Sequence, residues 1–212
     1  MQAFIFDMDG VIVDTELVHM RAEMDTAEAF GIKLTHEELI PYQGSSDEQL
    51  FGDIIKKRQL DIALEKICAY KKDLFNRTMR EQGATPIEGI LDLINEAARS
   101  ELKTAIASSS TPDFIDFVVD DLKIRAKFDV LVSGATLPES KPNPEIYLLA
   151  AKKLGVNPKD CVVLEDTNNG ARAAKAAGMY CIGFRSPHSG VQDFSMVDEI
   201  VDSIADIDLR KF

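Results

Sequence analysis

The first apolar run of the chain, Ala3-Phe4-Ile5-Phe6, is short, unbroken and followed by the turn-forming pair Asp9-Gly10, the pattern of a strand buried on both faces. From Leu17 the period changes. Leu17, Met20, Met24, Ala27 and Phe30 recur at helical spacing, and Gly31 supplies a stop, which predicts a helix of about four turns. Thr35-His36-Glu37-Glu38 and Ser45-Ser46-Asp47-Glu48 each place a hydroxyl three residues before a glutamate, so each predicts a helix start, with Pro41 and Gly44 between them. Leu64, Ile67, Cys68, Phe75 and Met79 continue the helical period up to Gly83 and Pro86. No strand pattern falls between Asp14 and Pro86, and residues 15–85 are expected to form an inserted, all-helical cap.

Beyond Pro86 the pattern alternates. Helices are predicted at Gly89 to Ser100, Pro112 to Asp121, Pro144 to Leu154 and Asn169 to Ala177, and strands at Lys103 to Ala107, Phe128 to Val132, Cys161 to Leu164 and Tyr180 to Phe184. Such alternation implies right-handed crossovers and an α/β core, a doubly wound parallel sheet formed by residues 1–14 and 86–212. Ligands of such sheets bind beyond the carboxyl ends of the strands, so the residues after each strand are the ones to read for chemistry.

Composition narrows the partners. With 24 basic and 36 acidic residues the formal charge is −12, which excludes a broad basic face for nucleic acid or anionic lipid and requires any phosphate site to concentrate its cations locally. Cys68, Cys161 and Cys181 are odd in number, widely spaced and set in apolar stretches, as expected of reduced core residues in a cytoplasmic protein. The chain opens without a basic start followed by a long apolar run, and no stretch approaches the roughly 20 apolar residues of a membrane span, so secretion and membrane insertion are not expected.

Asp7 and Asp9, two apart after the first strand, point to one side of an extended chain. Like charges that close call for a hard divalent metal, a shared proton, or both, and magnesium with a phosphate is the natural fit. An Asp-x-Asp-Gly arises by chance in roughly one chain in thirty of this length, so position must add the information. It does so at three further strand ends. Ser108-Ser109-Ser110-Thr111-Pro112 is a hydroxyl-rich turn opening a helix, a place where amides and hydroxyls hold phosphate oxygens or merely cap. Lys141-Pro142-Asn143-Pro144 sets a lysine at a corner, and Glu165-Asp166 is a second acidic pair, of which capping explains only one member.

Asp7-Met8-Asp9-Gly10-Val11, Ser108, Lys141 and Glu165-Asp166 stand where the four motifs of the haloacid dehalogenase superfamily stand, and the chain resembles that superfamily over nearly its whole length. The insert resembles the helical cap of its β-phosphoglucomutase and phosphatase branch. The resemblance implies a Rossmann-like core and Mg2+ held by Asp7, the Asp9 main-chain carbonyl and Asp166, with Glu165 near or ligating. It further implies that Asp7 attacks phosphorus to form an aspartyl phosphate, that Asp9 serves as acid and base, and that Ser108, Ser109 and Lys141 grip the phosphoryl group. A carboxylate placed to protonate an alkoxide has no task in expelling halide, which favours phosphate esters.

Thr15, His19 and Lys72 sit about where β-phosphoglucomutase has cap residues for its bisphosphate intermediate, which keeps a mutase open. The segment Gln43-Gly44-Ser45-Ser46-Asp47-Glu48, however, is acidic where the mutase offers an arginine, and no arginine occurs from there to Arg58. That change should repel a second phosphate dianion and favours hydrolysis of a small monophosphate such as a sugar phosphate, by a monomer. Arg185 and His188 read as loop residues. A non-enzymatic phospho-receiver shares the acidic crevice, magnesium, hydroxyl and lysine, but needs neither a cap nor an acid like Asp9. Closure of the cap about hinges near Thr15 and Thr85 is expected to exclude water.

Overall fold

The computed structural model describes residues 1–42, 45–187 and 189–212; Gln43 and Gly44 of the acidic segment, and His188, lie outside the described residues. Six strands, β1 (Ala3–Phe6), β2 (Lys103–Ser108), β3 (Val130–Ser133), β4 (Cys161–Glu165), β5 (Tyr180–Phe184) and β6 (Glu199–Val201), form one sheet in the order β3-β2-β1-β4-β5-β6 with every pair parallel. The unbroken apolar run of β1 has its explanation in this order, because β1 lies in the middle and all four of its residues are fully buried. The order reverses at β1, between β2 on one side and β4 on the other. A doubly wound sheet opens its ligand crevice at that switch point. In register Phe6 pairs with both Ile106 and Leu164, so the next residues, Asp7, Ala107 and Glu165, are level at the carboxyl edge.

Successive strand residues face opposite ways, which fixes the two cores. Ala3, Ile5, Ala105, Ala107 and Val163 pack with Ile146, Tyr147, Ala150 and Leu154 of α7 (Glu145–Leu154) and with Ala171, Ala173 and Ala174 of α8 (Asn168–Ala176). Phe4 and Phe6 face the other way, Phe6 edge-on to Phe128, and there α5 (Ile90–Arg99) and α6 (Pro112–Asp121) pack against β2 and β3. Residues 15–83 form a second compact unit from α1 (Glu16–Ala29), α2 (His36–Leu39), α3 (Asp47–Arg58) and α4 (Leu64–Gln82). Its own core joins Ala27, Ile32, Leu39, Leu50, Phe51, Ile54 and Ile67. No described helix is long and apolar enough to cross a membrane.

Several boundaries differ from the sequence expectation, each for a local reason. Ala84 and Thr85 count with the α/β unit: the Ala84 amide donates to Asp121 at 2.7 Å and the Asp14 amide to the Thr85 carbonyl at 2.9 Å. Thr35 and Glu38 do form a reciprocal capping box, but α2 is a single turn that passes into a 3-10 turn at Ile40–Tyr42. The cap of α3 is Ser46, which accepts from the Gln49 amide at 3.2 Å, and not Ser45. β3 begins at Val130, just after Asp129, whose amide donates to the Thr104 carbonyl at 2.9 Å and whose carboxylate accepts the Thr104 amide at 2.8 Å. β6 falls in the tail, where no element was expected: three residues are too few to show a period, and what anchors them is Asp198, which accepts the Cys181 amide and pairs with Lys175. The three cysteines are free thiols, Cys161 and Cys181 buried and Cys68 partly so.

Candidate active site

β1 delivers Asp7 to the switch point and a tight turn follows. The amides of Val11, Ile12 and Val13 all reach the Met8 carbonyl, and the Gly10 amide reaches the Val13 carbonyl at 2.9 Å. Gly10 has φ +80°, and a Cβ there would overlap the Asp166 carboxylate. The glycine therefore serves both the turn and the approach of a carboxylate from β4.

Lys141 joins the strands. Its Nζ donates to Asp7 Oδ1 at 2.5 Å, Glu165 Oε1 at 2.6 Å and the Ala107 carbonyl at 3.2 Å, and lies 5.0 Å from the Tyr147 ring centroid. Glu165, fully buried, has both oxygens taken by the protein. Tyr147 Oη (2.6 Å) joins Lys141 on Oε1, and the Thr167 amide (3.1 Å) and hydroxyl (3.0 Å) donate to Oε2. Asp166, also buried, accepts from the Ser189 hydroxyl. Asp9 turns elsewhere: its Oδ2 accepts from Ser110 Oγ at 2.8 Å and Ser108 Oγ at 3.1 Å.

Asp7, Glu165 and Asp166 offer carboxylate oxygens within 4.8 Å of one another, with the Lys141 ammonium as the cation in contact. Burial pushes the Asp7 carboxyl up to about 8, helped by Glu165 and Asp9 and opposed by Lys141. Burial opposes the Lys141 charge too, but Asp7 and Glu165 outweigh it and hold the ammonium above its ordinary range. Under-compensated buried carboxylate oxygens are a donor set for a hard divalent cation, and Mg2+ fits it. The same hydrogen bonds separate the acidic pair: Asp166 is the ligand candidate, while Glu165, already bonded through both oxygens, orients Lys141.

Two expected site residues, Ser109 and Lys72, have exposed side chains. Ser109 is exposed and the adjacent hydroxyl that reaches Asp9 belongs to Ser110, because a turn carries alternate side chains inward. Lys72 is exposed on α4, whose buried row is Ile67, Lys71, Phe75 and Met79 at successive four-residue steps. Lys71, not Lys72, is the cation inside the helical unit. Its Nζ lies 2.6 Å from Asp47 Oδ1, 2.7 Å from His19 Nδ1 and 3.8 Å from Glu23 Oε1. His19 stacks on Phe75 at 4.0 Å; burial, with Lys71 adding, lowers its pKa well below the ordinary value, so the ring is neutral and Nδ1 accepts. Burial likewise raises Glu23 to about 7, against the pull of Lys71. Thr15 is buried ahead of α1, its carbonyl accepting the His19 amide. Arg185 pairs with Asp202 at 3.1 Å, as a loop residue would. Ser110, Tyr147 and Ser189 were missed. The hydroxyl run could have pointed to Ser110, but Tyr147 reads as one more apolar position of α7, and nothing local marks Ser189.

The family model of the haloacid dehalogenase-like hydrolases matches residues 4–184, and the chain belongs to that family of enzymes. Protein CbbY of Cereibacter sphaeroides is 32% identical over 97% of this chain and 94% of its own length. The crystal structure of CbbY from Rhodobacter sphaeroides in complex with phosphate matches with a TM-score of 0.84 at 30% identity, over 97% of this chain and 95% of that one. A mutant of the same protein has been crystallised in complex with xylulose-(1,5)bisphosphate. Hexitol phosphatase B of Escherichia coli is 32% identical over 88% of this chain and 85% of its own. The β-phosphoglucomutase of Clostridium difficile matches with a TM-score of 0.80 at 26% identity, over 100% of this chain and 95% of that one.

Proposed function

We propose that the chain is a Mg2+-dependent phosphatase that hydrolyses a small phosphorylated carbohydrate by way of an aspartyl phosphate on Asp7. The observation that carries the reading is the pair of environments given to two aspartates of one turn. Asp7 is buried against Lys141 and beside Glu165 and Asp166, whereas Asp9 is only partly buried and held by two hydroxyls. Separate environments for two carboxylates are how one site assigns one as nucleophile and the other as acid and base. Bound magnesium, held by Asp7, Asp166 and the Asp9 carbonyl, would neutralise charge on the phosphoryl oxygens. Asp7 attacks phosphorus, Asp9 protonates the departing alkoxide, and Asp9 then takes a proton from the water that cleaves the acyl phosphate. Lys141 and Ser108 hold the phosphoryl oxygens through the transfer.

The choice of a monophosphate rests on the helical unit. There Asp47 and Glu48 are acidic, and the buried cation beside them, Lys71, is already paired with Asp47 and flanked by Glu23. CbbY and β-phosphoglucomutase keep bisphosphate chemistry in view, but an acidic segment whose neighbouring cation is already neutralised is poorly suited to a second phosphate dianion. The chain's charge of −12 agrees with a free metabolite as substrate and not a nucleic acid or lipid surface.

Phosphate release from a panel of sugar and polyol monophosphates, with magnesium and with chelator, tests this reading. Magnesium-dependent release from one or a few monophosphates is expected. Conversion of β-glucose 1-phosphate to glucose 6-phosphate with a bisphosphate primer, and no release from any monophosphate, would overturn it in favour of a mutase.

A further inference from the structure

The chain after β5 returns to the site from a direction that no strand-end motif marks. Ser189, nearly fully buried, donates its hydroxyl to Asp166 Oδ2. Gln192 holds Ser189 in place from two sides: its Nε2 donates to the Ser189 carbonyl at 2.7 Å, and its Oε1 accepts the Asn168 amide at 2.9 Å. Asn168 is the first residue of α8, two beyond Asp166, so one glutamine ties the backbone carrying Ser189 to the helix that the acidic pair introduces. The return path is anchored below by Phe194, which lies so close to Gly183 of β5 that a Cβ there would stand 3.0 Å from its ring. On the other side Gly10 leaves the space in which the Ser189 hydroxyl and the Asp166 carboxylate meet.

We infer that Ser189 and Gln192 are positioning residues for Asp166: the segment after β5 fixes the plane of that carboxylate and so sets the affinity of the site for its divalent cation. The inference rests on the metal reading above. A carboxylate bonded through one oxygen by a neutral hydroxyl keeps its charge and loses its rotation, which is what a ligating carboxylate needs from its surroundings. Lys141 serves Asp7 in a comparable way, but as a cation that also meets the phosphoryl group. Ser189 reaches the site through Asp166, so its effect should be confined to the metal.

The test is Mn2+ binding to the full chain without substrate, followed by electron paramagnetic resonance, for wild type, Ser189→Ala and Gln192→Ala. Loss of such a supporting hydrogen bond typically weakens a metal about 10- to 100-fold, so Ser189→Ala should bind Mn2+ about tenfold or more weakly. Gln192→Ala should weaken it by a smaller factor. In turnover, the magnesium concentration for half-maximal rate should rise by the same factor while kcat at saturating metal and KM for a monophosphate stay within about twofold, a split that general loosening of the fold would not give. Wild-type Mn2+ affinity in both variants would overturn the inference and leave the metal reading standing. Absence of Mn2+ binding by wild type would overturn the metal reading and the inference with it.

Discussion

Asp47 Oδ1 lies 2.6 Å from Lys71 Nζ, so the buried ammonium of the helical unit is already compensated by its own chain. Removing that carboxylate takes the nearest counter-charge from a buried ammonium. Asp47→Ala is therefore expected to cost about 3 kcal/mol of stability and to lower Tm by roughly 5–10 °C. Thermal unfolding of the variant and wild type measures the change. An unchanged Tm would mean that the pair plays no part in holding the helical unit together.

Asp7 makes metal binding depend on pH. Its carboxyl is raised by burial from 3.8 to about 8, so keeping Asp7 ionised costs free energy that a bound cation would return. The associated stability is complete below the unfolded value and is lost as pH rises through the folded one, a window from about 4 to 8. Bound cation would relieve that loss. The rise in Tm produced by saturating magnesium should therefore be larger at pH 8.5 than at pH 6, which thermal unfolding at the two pH values checks; an equal or smaller rise at the higher pH would contradict it.

Tyr147 and Lys141 meet on one oxygen of Glu165, yet their removal should read differently. Tyr147→Phe takes one donor from a buried carboxylate, expected to cost about 1.5–3 kcal/mol of stability and, for a chain of this size, to lower Tm by roughly 5 °C. Its effect on kcat should be small. Lys141→Ala removes the cation proposed to hold the phosphoryl group and should lower kcat about 10²- to 10³-fold. Steady-state kinetics and calorimetry on the same preparations separate the two.

Asp9→Asn tests the division of labour within one turn. The variant keeps the main-chain carbonyl and loses the proton, so turnover should fall about 10²- to 10⁴-fold while Mn2+ affinity stays within about twofold of wild type. A large loss of metal affinity would show that the Asp9 side chain, and not its carbonyl, belongs to the metal site.

What could be read from the chain was whatever repeats or sits at a strand end. The apolar run of β1, the helical spacing along α4 and the alternation after Pro86 each repeat a physical period often enough to be seen. Asp7, Ser108, Lys141 and Glu165-Asp166 each lie at or beyond the carboxyl end of a strand, and parallel order puts those ends on one edge of the sheet. β6 escaped because it is three residues long and is held by the distant Asp198 contacts. The motif that places Lys72 in the helical unit carries no helical phase; the four-step row Ile67, Lys71, Phe75 turns Lys71 inward and leaves Lys72 exposed. The different surroundings of Glu165 and Asp166 depend on Tyr147, Thr167 and Ser189, contacts made in space by residues 2 to 23 positions away that leave no local pattern.

The central claim is that Asp7 carries the phosphoryl group, and trapping it is the most direct measurement. Wild type mixed with a radiolabelled monophosphate substrate and magnesium, quenched in acid within the first turnover, should yield label that co-migrates with the peptide containing Asp7. Asp7→Asn should yield none and should not turn over. Label on another residue, or turnover by pure, folded Asp7→Asn protein, would contradict the account.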